Sequence, residues 1–131
     1  MIDYDNSTFK EIWEYEFEED LERRDMFSVS YSSLTGKFYD DINGIIFYLK
    51  SGKYHRESGP AYIRKIQLYF NSHCIWFNNG KEHRIDGPAL YLFDEDKKKV
   101  DKRYFIFGNK ISEEDFLTFS DLGNGNELVI L

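Results

Sequence analysis

Two stretches of this chain, 28 residues apart, follow one pattern. Tyr48-Leu-Lys-Ser-Gly-Lys-Tyr-His-Arg-Glu-Ser-Gly-Pro-Ala61 aligns with Trp76-Phe-Asn-Asn-Gly-Lys-Glu-His-Arg-Ile-Asp-Gly-Pro-Ala89, and seven of fourteen positions are identical. These are Gly52/Gly80, Lys53/Lys81, His55/His83, Arg56/Arg84, Gly59/Gly87, Pro60/Pro88 and Ala61/Ala89. One further step reaches Tyr104, Phe105 and Gly108, a third copy that decays into Asn109, Lys110 and Ile111. A period of this length implies stacked supersecondary units, none of which can bury its apolar face alone.

Each unit reads as strand, tight turn, strand, Gly-Pro corner, strand. Asn79-Gly80 is a strong hairpin signal, because a type I′ turn needs positive φ at both central residues, and Ser51-Gly52 is a weaker version. Two-residue loops set Trp76 opposite His83 and Tyr48 opposite His55, with an aromatic ring against each imidazole. The same register puts Ile75 across from Arg84 and Phe47 across from Arg56. At Ser58-Gly59-Pro60 and Asp86-Gly87-Pro88 glycine is expected to supply an unusual φ, and proline ends the ladder. Strands follow from Ala61 and from Ala89.

The flanks differ. Ser112 is a good N-cap with Asp115 as its partner three residues on, and Phe116, Leu117 and Phe119 would lay a short helix over the last repeat as a cap. Gly123 to Asn126 is turn-like, with a short strand expected over 127–131. Near the amino terminus, Phe9, Ile12, Trp13, Phe17 and Leu21 fit one helical face behind an Asn6/Ser7 cap. Trp13, Tyr15 and Phe17 also alternate with Glu14, Glu16 and Glu18 at the period of a strand. The helix is preferred because the pattern runs from Phe9 to Leu21 and Glu is a good helix former. Strands are expected over 26–31, at Phe38–Tyr39 and over 44–49. The organisation expected is one compact domain: an acidic segment over 1–43, the array with its capping helix over 44–119, and a tail over 120–131. The fold class is mainly β, an antiparallel hairpin-repeat sheet with a helix at each end.

Charge is lopsided. Residues 1–46 carry twelve acids against four bases, a net of −8, while 47–131 carry twelve against thirteen, a net of +1. Such a field repels nucleic acid, favours a basic partner, and can imitate a phosphate backbone towards a nucleic-acid-binding protein. The plainer reading is a solvated face that aids solubility. The run Glu11, Glu14, Glu16, Glu18, Glu19 and Asp20 is the candidate contact surface. A single cysteine, Cys74, excludes an internal disulfide framework and suits a reducing cytosol. No apolar run reaches the ~20 residues of a membrane helix, so no membrane is expected, and the acidic field argues against direct nucleic-acid binding.

Catalytic candidates are few. His55 with Arg56, and His83 with Arg84, could hold a phosphate or nucleotide. No placed nucleophile or metal set accompanies them, and residues recurring at a structural period usually serve the period. His73 and Cys74 are adjacent, hence on opposite faces of a strand, and do not make a shared metal site with His83. Lys97–Lys99 after Asp94-Glu95-Asp96 reads as a solvated hairpin tip. No enzyme activity and no cofactor are expected.

The unit from Trp76 to Ala89, with Gly108-Asn-Lys-Ile-Ser-Glu-Glu-Asp-Phe116 as its close, resembles the MORN-variant repeat of phages, giant viruses and some bacteria. The resemblance covers about residues 44–119 and departs from the pattern at Ser58, at Tyr48-Leu49 and in its two full copies. It implies a β-hairpin interaction scaffold carrying no catalytic residues. It further implies a viral protein in the host cytoplasm that binds and blocks a host factor, a component of a defence system; self-association through an exposed edge strand is the duller alternative.

Overall fold

The structure is a computed structural model and describes residues 1–18, 22–23, 34–65, 72–94 and 99–122. It is mainly antiparallel β with one helix near each end. The spine runs through β2 (Gly36–Asp40), β3 (Ile45–Lys50), β5 (Tyr62–Arg64), β6 (Ser72–Ile75), β9 (Leu90–Phe93) and β10 (Asp101–Ile106), adjacent in that order. The short β1 (Glu22–Arg23) adds to β2 in parallel. Hairpin arms leave the spine as β4 (Lys53–Tyr54), as the pair β7 (Phe77–Asn78) and β8 (Lys81–Glu82), and as β11 (Asn109–Ile111). Helix α1 spans Phe9–Phe17 and α2 spans Glu113–Leu122.

The turns form as the repeat demands. Ser51 and Gly52 have φ of 49° and 80°, Asn79 and Gly80 have 47° and 84°, and Phe107 and Gly108 have 46° and 83°. Positive φ at both centres is the type I′ signature whose twist matches the flanking strands. Pairings Lys50 with Lys53, Asn78 with Lys81, and Ile106 with Asn109 close the three loops. Phe107 shows that the third copy keeps the turn even after losing its turn-forming residue.

Successive units are stitched together at these tips. The N–H of Gly52, Gly80 and Gly108 donates to the carbonyls of Leu34, Tyr54 and Glu82, each at 2.8–2.9 Å. The preceding N–H of Ser51 goes to Thr35 Oγ1, that of Asn79 to His55 Nδ1 and that of Phe107 to His83 Nδ1. Each repeated histidine therefore caps the turn of the next unit, and Thr35 supplies the cap where no earlier repeat exists.

Across the spine, Tyr39, Ile46, Ile63, Cys74 and Tyr91 pair residue to residue and form one transverse row. Ile12 of α1 lies on this row, wholly buried with Ile46, Ile63 and Cys74. Phe9, Trp13 and Phe17 flank it, so the helical reading of this segment holds. A buried side chain of this size contributes about 1.5–3 kcal/mol. The cap is Thr8 rather than Asn6 or Ser7: its Oγ1 accepts from Glu11 N–H while the Glu11 carboxylate accepts from Thr8 N–H. Asn6 and Ser7 are instead spent in a turn on Asp3.

Other expectations need correction. Ile75 pairs with Tyr62 and Leu90, and Phe47 with Phe38 and Tyr62, because the chain bends out of the spine before each hairpin; neither faces an arginine. Gly59 and Gly87 do not adopt positive φ. A Cβ on them would lie 2.9 Å from Arg56 Cζ and 2.7 Å from Arg84 Cζ, so glycine is needed there for space. In α2, Asp115 N–H donates to Ser112 Oγ and Phe116 packs on Tyr104, but Leu117 is 53% exposed and caps nothing. The strand expected over 26–31, the side chains of Leu21 and Phe119, the Lys97–Lys98 tip and the tail from 123 lie outside the described residues. Among the described residues no helix is long and apolar enough to cross a membrane.

Candidate binding site: the amino-terminal segment and the arginine sockets

Arg56 and Arg84 occupy equivalent sockets. The guanidinium of Arg56 lies 4.0 Å from the Tyr48 ring centroid, and that of Arg84 lies 4.3 Å from Trp76. So arginine, not histidine, covers the repeated aromatic, an arrangement worth up to about 2 kcal/mol when desolvated. Each Nη1 also donates to the carbonyl four residues on, Pro60 at 3.1 Å and Pro88 at 3.2 Å. The Gly-Pro corner thus folds tightly around the guanidinium, which explains why Gly, Pro and Arg recur together.

Each socket draws a counter-charge from outside the repeat. Glu16 of α1 reaches the first socket, with Oε1 at 2.8 Å from Arg56 Nη1. The hydroxyls of Tyr4 and Tyr48 also donate to it, and Lys37 Nζ lies 3.4 Å from Oε2. Glu16 is 1% exposed and the Arg56 side chain 14%, so this ion pair is largely desolvated. Burial pushes its pKa up, but the Arg56 charge and the tyrosine hydrogen bonds outweigh that and hold it below the usual carboxylate range. Burial and the Glu16 hydrogen bond push the Tyr4 and Tyr48 hydroxyls well above theirs.

Asp5 fills the second socket. Its two oxygens accept from Arg84 Nη1 and Nη2 at 2.8 Å each, and Oδ1 also accepts from Tyr91 at 2.7 Å. Asp86 takes Arg84 Nε at 2.8 Å. Burial opposes ionisation of Asp5, yet the bonds to Arg84 and Tyr91 leave its pKa lowered overall. In the third copy no arginine among the described residues stands over Tyr104; Phe116 of α2 lies there instead, 4.6 Å between ring centroids. An aromatic cap thus closes the array where an arginine would continue it.

These findings sort the acidic run. Glu16 is removed from the expected contact surface, because it is the buried counter-ion of Arg56. Glu11, Glu14 and Glu18 are exposed, and Glu19 and Asp20 lie outside the described residues. Glu11, Glu14 and Glu18 join Asp3 in lining an open groove of about 420 Å³, with Met1, Ile2, Ser7 and Tyr15. Among the described residues no Lys, Arg or His side chain lines it. Asp40 also turns inward, 5% exposed, and accepts from the N–H groups of Ile42 and Asn43 in the loop before β3.

The remaining candidates are structurally employed. His83 Nδ1 accepts from Phe107 N–H at 2.9 Å while its ring stacks on Phe107 at 4.1 Å. Burial lowers its pKa, consistent with the neutral ring that this acceptor role requires. Cys74 is in the core and His73 is on the opposite face, half-buried. Sequence reasoning missed Tyr4, Asp5, Tyr91 and Lys99 as members of these clusters. Only the chemistry of Asp5 and Glu16, one acid before and one within an amphipathic helix, hinted at it. Comparison with protein-family models, with curated proteins and with solved structures finds no match.

Proposed function

We propose that this chain is a non-catalytic protein-binding module, in which the repeat array holds α1 so that its outer acidic face meets a basic protein. The observation that carries the reading is the division of the acids. Glu16 and Asp5 turn inward to anchor the segment, while Asp3, Glu11, Glu14 and Glu18 line one groove beside the exposed Tyr15. A rigid carboxylate array with an aromatic beside it suits an Arg- or Lys-rich surface, such as that of a nucleic-acid-binding protein. The resemblance to phage and viral repeats takes the reading one step further, to a host factor of a defence system that the module blocks. Glu14→Lys with Glu18→Lys is expected to abolish retention of the partner from host lysate while leaving the melting temperature within about 2 °C, since exposed charges contribute little to stability. Retention of the same partner by that variant would contradict the proposal.

The alternative, a phosphate or nucleotide ligand on His55, Arg56, His83 and Arg84, has less behind it. Both guanidiniums already face carboxylates, and both imidazoles already accept a backbone N–H.

A further inference from the structure

The second arginine socket has the construction of a ligand site. Its walls, Arg84, Trp76 and Tyr91, belong to the repeat, whereas the carboxylate in it comes from a residue 79 positions away in sequence from Arg84. The same relation recurs 28 residues earlier, where Glu16 enters the Arg56 socket from 40 positions away. Each socket takes one carboxylate from outside the repeat, and Arg84 has Asp86 of its own unit as well.

The second socket differs from the first in access and in charge. The Glu16 side chain is 1% exposed and sits on a helix pinned by Ile12, while the Asp5 side chain is 43% exposed and precedes α1. The Asp5 carboxylate can therefore leave the socket without moving the helix, while Tyr4 stays against Trp76 and bonded to Glu16. Beside the socket stands Lys99, half-buried, its Nζ 4.6 Å from the Tyr91 ring and without a hydrogen-bond partner among the described residues. An orphaned ammonium next to an arginine fork marks a place where more negative charge can be received than Asp5 alone supplies.

We propose that Arg84, Tyr91 and Lys99 form a carboxylate-recognition site, held in cis by Asp5 and open to an acidic peptide segment of another molecule when Asp5 withdraws. The planar fork of Arg84, with Nε taken by Asp86 and Nη1 also bonded to Pro88, leaves Nη1 and Nη2 aimed at two coplanar oxygens. That matches a carboxylate better than a tetrahedral phosphate. Tethering gives Asp5 an effective concentration in the millimolar range, so an incoming segment competes well only when it is itself multivalent or when Asp5 is disengaged. This site shares segment 1–7 with the groove on α1 but not its carboxylates, since Asp5 does not line the groove and Glu14 and Glu18 do not enter the socket, so the two can be tested apart.

The test uses the full chain carrying Asp5→Ala, with Asp5→Asn as a second variant should the first not fold. Melting temperature is followed against propionate, phosphate and chloride at matched ionic strength. A peptide of residues 1–8 is then titrated, alongside its Asp5→Asn version. The expected result is that propionate raises the melting temperature of Asp5→Ala but not of the parent chain. The parent peptide should bind the variant about tenfold more tightly than the substituted one, and adding Lys99→Met should weaken it. Equal responses of parent and variant to propionate, or indifference of the peptide to Asp5, would overturn the site. A larger effect of phosphate than of propionate would overturn the carboxylate assignment.

Discussion

At the scale of single residues, the recurring arginine is the pivot of each repeat, and what surrounds it follows from accommodating a desolvated guanidinium. Glycine at 59 and 87 clears the space, proline carbonyls accept from it, and an aromatic ring lies beneath it. Gly87→Ala should drive Arg84 off Trp76 and cost about 1–3 kcal/mol, read from urea unfolding; an unchanged midpoint would refute the crowding argument. Glu16→Ala strands a buried cation and should cost about 3–5 kcal/mol. Asp5→Ala, at a carboxylate nearly half exposed, should cost clearly less. The repeat exposed the His-Arg pairs in the sequence, but the acidic partners from outside the repeat, Asp5 and Glu16, were not legible. Nothing in local periodicity ties residue 16 to residue 56, since that pairing depends on where α1 lands on the sheet.

Among the elements, the hairpins were the most legible, because a type I′ turn has a local chemical signature and its register follows from loop length. The third turn kept its geometry without that signature. Phe107 sits at positive φ, where a non-glycine residue is uncommon, held by the His83 ring and Nδ1. Ser51→Asn should stabilise the first hairpin by a few tenths of a kcal/mol, about the span of turn preferences, measured as a raised melting temperature. The helix α1 was legible in type but not in its cap, as Asn6 and Ser7 are equally good caps until Asp3 takes them into a turn. Histidine capping also makes stability depend on pH. Burial lowers the folded pKa of His83, and burial with nearby Arg64 lowers that of His73, so the unfolded chain binds protons first. Their contribution is complete above the unfolded value of about 6.5 and falls as pH drops below it. Glu16 and Asp5, both depressed, add a second loss below the ordinary carboxylate range. His83→Gln should flatten the upper phase of the pH profile and leave the lower one in place; an unchanged upper phase would remove His83 from the account.

For the whole molecule, the amino-terminal segment is the piece that turns a row of hairpins into a closed core. Ile12 seals the transverse row Ile46, Ile63, Cys74 and Tyr91, while Asp5 and Glu16 plug the two sockets beside it. Fold class and repeat layout were readable because they depend on neighbours in sequence. The division of the acids into anchors and an outer face was not, because it depends on docking between segments far apart. Ile63→Ala, at the centre of that row, should cost about 2–5 kcal/mol. The account rests above all on the clasp between segment and repeat, and a double-mutant cycle at Glu16 and Arg56 tests it most directly. With Glu16→Gln, Arg56→Met and the pair measured by denaturant unfolding, the account predicts strong non-additivity, a coupling of at least about 1.5 kcal/mol. Additive losses would contradict it, because the two residues would then stabilise the fold separately and the repeat would not be what holds the segment in place.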